Sequence, residues 1–267
     1  TGPGTNKPGV EFDGCHHARE WISVMVPMWI ADKLVYSYDT DPNLHTLVDS
    51  LEFYIIPVVN VDGYVYTWTT DRMWRKNRRL NAGGCYGVDN NRNYGVGFGG
   101  NGSSANPCDE TYHGTAAFSE PESAALRDFA IGHPNLVTAQ SYHSYSQLFM
   151  SPYGYTGTLP ADNATFVQMD ADCAALIYAI HGMSYAYGPI YSTIYQAAGN
   201  TVDWMYDHEG IFSFTTELRD TGTYGFQLPP AQIIPTCEEN FPAALYLANW
   251  STSPIKFSFP AGFPTRL

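Results

Sequence analysis

The run Phe53-Tyr54-Ile55-Ile56-Pro57-Val58-Val59-Asn60 is apolar without alternation, which a half-exposed strand cannot be, so it reads as a strand buried on both faces. Before it, Val10-Glu11-Phe12-Asp13-Gly14 reads as a short strand running into Cys15-His16-His17. Between them Ile22, Val26, Trp29, Ile30 and Leu34 recur at three and four, which predicts an amphipathic helix over residues 20–38 despite Pro27. Strand, helix, strand is the order of a parallel crossover, and the rest of the chain continues it. Ser119-Glu120-Pro121-Glu122 opens a helix towards Ile131, and Leu136 to Tyr142 is a strand ending at His143. Asp162 to Tyr185 has helical spacing, Gly210 to Thr216 is a strand ending at Glu217, and Pro229 to Trp250 is a last long helix. Residues 69–106 are rich in Arg, Asn and Gly, lack periodicity and are expected to be a long ordered loop. The expected architecture is α/β, a mixed, mostly parallel central sheet sandwiched by helices. No linker or repeat divides it, so residues 1–267 are expected to form a single domain.

This order places His17, His143 and Glu217 each after an expected strand, and open α/β sheets gather ligands at the carboxyl ends of their strands. His17-Ala18-Arg19-Glu20 sets an imidazole and a carboxylate three residues apart, with His143 as a third donor. Two His and one Glu leave a tetrahedral zinc ion one open position for water, the pattern of catalytic sites. Taken alone, the spacing fits either a metal site or a chance HxxE beside an ordinary core histidine. Glu217 follows the apolar stretch Ile211-Phe212-Ser213-Phe214, so partial burial is expected to raise its pKa towards that of a useful base. His16, next to His17, must point elsewhere if His17 is a ligand, and is read as structural.

Composition narrows the function classes. Lys and Arg number 13 against 26 Asp and Glu, a formal charge of -13, which disfavours nucleic acid as a partner. The apolar runs stop far short of the roughly 20 residues a membrane helix needs, so no membrane association is expected. Five cysteines, at 15, 85, 108, 173 and 237, are too scattered for a zinc finger or a CxxC pair and suggest one or two disulfides. Sequons at Asn101, Asn163 and Asn249 are compatible with secretion.

The chain also carries Trp74-Arg75-Lys76-Asn77-Arg78, Asn90-Asn91-Arg92-Asn93-Tyr94, Ser141-Tyr142-His143-Ser144-Tyr145, Ile194-Tyr195-Gln196-Ala197 and Thr216-Glu217-Leu218-Arg219-Asp220-Thr221-Gly222. With His17-Ala18-Arg19-Glu20, these motifs resemble, in order and over essentially the whole chain, the zinc metallocarboxypeptidases of the pancreatic carboxypeptidase A/B type. The resemblance implies one zinc ion on His17, Glu20 and His143, Glu217 as general base, and Arg75 as the cation that stabilises the oxyanion. It implies that Asn91 and Arg92 clamp the substrate's terminal carboxylate, a task that suits the planar guanidinium fork. Tyr195 matches a mobile tyrosine that closes over the bound terminus, and Arg19 and Tyr145 match further substrate contacts.

The same resemblance places Val202 at the base of the pocket for the terminal side chain, where an Asp selects Lys or Arg, with Ile190, Ala197 and Thr215 on its walls. An apolar base would strand a cation, so C-terminal aromatic and large aliphatic residues are the expected substrates. Asp203 is the next residue, and a shift of one position would reverse that preference. Cys85 and Cys108 match the family's disulfide in the long loop. Cys173 and Cys237 are a candidate second pair, leaving Cys15 as a buried thiol. The resemblance further implies secretion, a monomer, peptide or protein C-termini as substrates and proteinaceous carboxypeptidase inhibitors as partners. Family catalytic domains carry an additional helix and first strands before the point matching Thr1, so the fold is expected to lack the N-terminal part of the domain. Two other readings compete. A zinc deacylase of N-acyl amino acids would need no carboxylate clamp, and an inactive binding module would be expected to have lost a ligand or the base.

Overall fold

The computed structural model describes residue 2 and residues 4–252, and residues 253–267 of the expected domain lie outside them. In chain order the elements are β1 (Gly9–Gly14), α1 (Ile22–Tyr36), α2 (Pro42–Ser50), β2 (Glu52–Ile56), α3 (Val61–Thr69), α4 (Pro121–Gly132), β3 (Leu136–Ser144), β4 (Leu148–Ser151), α5 (Asn163–His181), β5 (Ala186–Pro189), α6 (Ile190–Thr193), α7 (Thr201–Glu209), β6 (Phe212–Leu218) and α8 (Ile233–Ser251). The six strands form one sheet in the order β2-β1-β3-β6-β4-β5. The first four run parallel, β4 is antiparallel to β6, and β5 is parallel to β4. The mixed, mostly parallel sheet and its covering helices agree with the reading from sequence.

Because side chains alternate across a strand, each central strand splits into two rows. On β1, Val10 and Phe12 face α1, α2 and α8, meeting Ile22, Val26, Ile30 and Leu34 in one buried cluster. Phe212 and Phe214 of β6 join Phe149 of β4 and Phe166, Met169 and Ile177 of α5 in a second. Each such buried side chain contributes about 1.5–3 kcal/mol, so these clusters set the sheet's position against its helices. The opposite row is polar near the strand ends and carries Glu11 and Asp13 of β1, Ser141 and His143 of β3, and Thr215 and Glu217 of β6. Further along that face Tyr94, Leu126, Ala139, Trp204 and Ile211 build a third cluster with α4 and α7. One face of the sheet is therefore packing, and the other is packing at one end and chemistry at the other.

The α1 helix carries Pro27, which leaves the Ser23 carbonyl without its helical donor. That carbonyl lies against Gly14, where an added Cβ would stand 2.1 Å from the oxygen, so the strand-to-helix approach requires glycine. The loop over residues 69–106 is irregular as expected, with only short 3-10 turns at Ala82–Gly84 and Asn90–Arg92. The Cys85–Cys108 disulfide closes it.

Several expectations are corrected. β2 ends at Ile56, before Pro57, and is half-buried throughout, because in the described residues it lies at the sheet edge with β1 on one side. The strands of His143 and Glu217 extend further than the apolar pattern suggested, so both residues lie inside β3 and β6 and stand opposite one another in register. Cys173 and Cys237 are buried free thiols and do not pair. Cys173 packs with Phe149 and Phe166, whereas Cys237 packs in the α1 cluster, so each behaves as a small apolar group in its own core. The helices α2, α3, α6 and α7 and the strands β4 and β5 are additional. They are short, from four to nine residues, too few for periodicity to stand out, although the caps were there to read. Asp41 accepts from the Asn43 and Leu44 amides before Pro42, and the Asn60 and Asn200 side chains accept from Gly63 and Asp203.

Candidate active site

β1, β3 and β6 are neighbouring parallel strands, so their carboxyl ends bring His17, His143 and Glu217 to one place. His17 Nδ1 lies 2.8 Å from Glu20 Oε1, His143 Nδ1 lies 3.0 Å from Glu20 Oε2, and the two Nδ1 atoms are 3.2 Å apart. Among the described residues this is the group of His, Cys, Asp or Glu side chains able to hold a metal ion. The donor set fits zinc. Bonds of about 2.0–2.1 Å to a tetrahedral ion place donors roughly 3.3 Å apart, close to the separations seen. All three side chains are buried, and three inward-facing donors in a dry site make sense as ligands rather than as a hydrogen-bonded core. Burial alone would raise the Glu20 carboxyl, but the imidazoles of His17 and His143 beside it take it well below the usual range. Burial pushes His143 down to about 4 despite Glu20, which keeps its ring neutral, the form that binds metal.

The outer ring nitrogen of His17 is held by Asp89, with Nε2 3.1 Å from Oδ1. Asp89 also accepts from Arg75, Nε at 3.1 Å and a terminal nitrogen at 2.7 Å on Oδ2, and from the Asn91 amide. Burial opposes its charge, yet Arg75 and His17 hold its carboxyl well below the usual range. A carboxylate behind a ligand histidine fixes its tautomer and strengthens it as a donor. Arg75 is buried too; desolvation works against its charge, but Asp89 and Glu20 keep it above the ordinary arginine range. Burial, with Glu20 nearby, pushes the Glu217 carboxyl well above the usual range, while Arg75 and Arg92 pull the other way.

A cavity opens to solvent beside these groups, its polar end lined by His17, Asn91, Arg92, His143 and Glu217. Met150, Ile190, Ala197 and Val202, one apolar cluster with Ile194, form an apolar end with Thr215, and Tyr195 and Asn200 complete the lining. Arg92 is buried; its Nε donates to Gly102 O and one terminal nitrogen to Asn91 O, both at 2.8 Å, which aims the rest of its fork into the cavity. Gly102 has φ +83°, and an added Cβ would stand 1.8 Å from Gln196 O, so the turn that holds Arg92 also needs glycine. Asn91 Oδ1 accepts from the Thr201 amide. Tyr195 is 50% exposed, and its ring centroid is 5.9 Å from the Arg92 guanidinium carbon.

Val202 lines the cavity and Asp203 does not. Asp203 turns away and accepts from the amides of Gly154 and Tyr155, each at 2.9 Å, and from Asn200 Nδ2 at 2.7 Å. Arg19 and Tyr145 lie outside the cavity, where Arg19 stacks 4.2 Å over Phe226 and Tyr145 meets the same ring edge-on. His16 bonds to Asp13 and to the Tyr94 hydroxyl and contributes no ligand, as expected. Sequence reasoning missed Asp89, Met150, Ile194, Asn200 and Phe226. Asp89 lies 72 residues from the histidine it holds, and its one local signal is the Asx turn to Asn91, which speaks of backbone rather than chemistry.

With this geometry in place, the chain can be set beside known proteins. The zinc carboxypeptidase family matches residues 2–243. Carboxypeptidase B of Bos taurus is 47% identical over 250 residues, covering 93% of this chain and 60% of that protein. Carboxypeptidase A2 of Rattus norvegicus is 45% identical over 239 residues, covering 89% and 57%. Among solved structures, bovine thrombin-activatable fibrinolysis inhibitor in complex with tick carboxypeptidase inhibitor aligns with TM-score 0.87 and 39% identity, over 92% of this chain and 82% of that one. Carboxypeptidase A from Helicoverpa armigera aligns with TM-score 0.84 and 31% identity, over 92% and 61%. The chain thus spans about 60% of the length of the curated relatives it matches. The match of family, sequence and structure over nearly all of its own length shows that this chain belongs to the zinc carboxypeptidase family.

Proposed function

We propose that the protein, as a single domain over residues 1–267, is a zinc-dependent exopeptidase that hydrolyses the last peptide bond of its substrate and prefers aromatic or large aliphatic C-terminal residues. The observation that carries this reading is one cavity lined by His17 and His143 of the His-Glu-His group, the Glu217 carboxyl and the buried Arg92 fork, with an apolar wall around Val202. A zinc ion on His17, Glu20 and His143 would supply a Lewis acid and a water of lowered pKa. Glu217 takes the proton of the attacking water and passes it to the leaving amine, a role its raised pKa suits. Arg75, fixed on Asp89, offers positive charge where the carbonyl oxygen becomes negative. Arg92 and Asn91 hold the terminal carboxylate, which limits cleavage to the last residue, and Tyr195 closes over it. Arg19 and Tyr145, grouped on Phe226, contact the residues further from the terminus.

Relatives of both A and B types match at similar identity, so identity alone leaves the specificity open. The pocket supports the apolar choice. Val202 forms part of its wall, while the carboxylate of Asp203 is spent on three backbone and side-chain donors behind it. A buried ammonium against Val202 would lack a partner at a cost of several kcal/mol. Binding of proteinaceous carboxypeptidase inhibitors is part of the same reading, supported by the inhibitor complex of a structural neighbour. So is secretion, supported by the Cys85–Cys108 disulfide. Among the described residues no helix is long and apolar enough to cross a membrane.

The test is release of the last residue from matched blocked dipeptides ending in Phe, Lys or Phe-amide, with chelated and zinc-restored samples. Chelator-sensitive release of Phe, slow release of Lys and an untouched amide are expected. Fast Lys release would sink the pocket assignment, and equal cleavage of the amide would favour a deacylase.

A further inference from the structure

The two metal-facing histidines are not held alike. Behind His17 stands a carboxylate in direct contact, whereas behind His143 stands a hydroxyl. Ser141 Oγ is 3.3 Å from His143 Nε2 and donates to Asp13 Oδ1 at 2.7 Å. All three groups are buried. The chain is built into the sheet: Asp13 of β1 and Ser141 of β3 are direct cross-strand partners, and Ser141 and His143 share one face two residues apart. We propose that Asp13, acting through Ser141, is a positioning residue for the metal-facing nitrogen of His143.

The argument is one of proton direction. Asp13 accepts the Ser141 hydroxyl proton, which leaves the Ser141 oxygen with lone pairs only for a further partner. His143 Nε2 must then be the N–H donor, and Nδ1 keeps the bare lone pair that faces Glu20 and His17. The Asn91 amide cannot do this. Its Oδ1 is taken by the Thr201 amide, so it presents Nδ2, a second donor, to His143 Nε2 at 3.5 Å. His16 Nδ1 meets the same Asp13 Oδ1 at 3.2 Å and lies 3.4 Å from Ser141 Oγ, and His16 Nε2 is in turn held by the Tyr94 hydroxyl. Glu11, on the same face of β1, is buried, and burial beside Asp13 pushes its carboxyl well up.

The inference rests on His17, Glu20 and His143 as zinc ligands, and zinc affinity is its readout. Zinc is titrated into the apo form of the full chain against a competing chelator, and thermal unfolding of the apo forms is recorded alongside. Ser141→Ala removes one small atom and is expected to weaken zinc binding about 10–100-fold with the apo melting temperature unchanged. Asp13→Asn is expected to do the same, and the double variant to be no worse than the weaker single, since both cut one chain. Ser141→Thr, which keeps the hydroxyl, is expected to stay within about threefold of wild type. Wild-type zinc affinity in Ser141→Ala overturns the proposal, as does a double variant weakened by the product of the two singles. If Asp13→Asn does not fold, the alanine and threonine variants at 141 decide alone. A wild-type chain that takes up no zinc overturns the ligand reading and this inference with it.

Discussion

The two ends of the cavity are built by different means. The chemical end stands on the carboxyl ends of three adjacent parallel strands, and His17 and Arg75 are locked there by buried charge-assisted bonds to Asp89. The selective end stands on β4, the short α6 and the segment that runs from Tyr195 into α7, and it is stitched by backbone amides: Ala197 N to Gly154 O, Tyr191 N to Tyr153 O, and Asp203 under Gly154 and Tyr155. Strands fix positions to the fraction of an ångström that bond making needs, whereas loops tolerate the changes of shape that a new preference needs. Variants at the first end should alter turnover for every substrate, and variants at the second should re-rank substrates while leaving turnover of the best one intact.

Glu217→Gln tests the chemical end most severely. Turnover is expected to fall about 10²–10⁴-fold, with zinc affinity and melting temperature held; steady-state kinetics with a zinc titration check it, and retained turnover would remove Glu217 from its role. Arg92→Ala sits at the boundary between the ends. Loss of charge-assisted bonds worth roughly 1.5–3 kcal/mol each should lower kcat/KM for free-acid peptides by about 10²–10³ and abolish the preference over amides. If acid and amide keep their original ratio, Arg92 is not the clamp.

Val202→Asp sharpens the comparison from the other side. The ratio of Lys to Phe release should rise about 100-fold or more while kcat on the better substrate stays within an order of magnitude. A drop in turnover on all substrates would show that the two ends are not separable. Asp203→Asn should be milder, raising KM for Phe substrates about tenfold through a loosened 153–155 loop with zinc affinity unchanged.

The smallest effect concerns stability. Asp170 of α5, under the selective end, is buried against the Ser151 hydroxyl, and burial pushes its carboxyl up to about 8. The folded chain then keeps a proton that the unfolded chain releases near its ordinary pKa of about 3.8, so folding is favoured at low pH and the contribution is lost as pH rises from about 4 to 8. Thermal unfolding across that window should show the decline, and Asp170→Asn should flatten it by a few degrees. An unchanged slope would mean the carboxyl is ionised in the folded state.

Most of the sheet was legible because its strands and long helices carry strong periodicity: Ile22, Val26, Ile30 and Leu34 were readable as a face, and they are buried as one. The candidate site was legible where its residues sit at the ends of those elements. Strand limits were less so, since His143 and Glu217 are polar residues that the sheet continues through by pairing with each other. Asp41 and Asn200 announce α2 and α7 only to a reader who weighs caps above periodicity.

The sequence by itself determined which chemistry is available: the proposed metal donors His17, Glu20 and His143, the proposed base Glu217, the forks of Arg75 and Arg92, and the α/β order that carries them. Tertiary structure decided which carboxylates serve that chemistry and which only hold the scaffold. Val202 and Asp203 are adjacent in sequence, yet the first turn of α7 sends them about 100° apart, one into the cavity and the other beneath it. Asp89 and Asp13 find their partners across separations of 72 and 128 residues. Such pairings depend on strand register and loop path, which periodic patterns leave open, because a hydrogen bond is set by distance in space whereas a pattern records only distance along the chain.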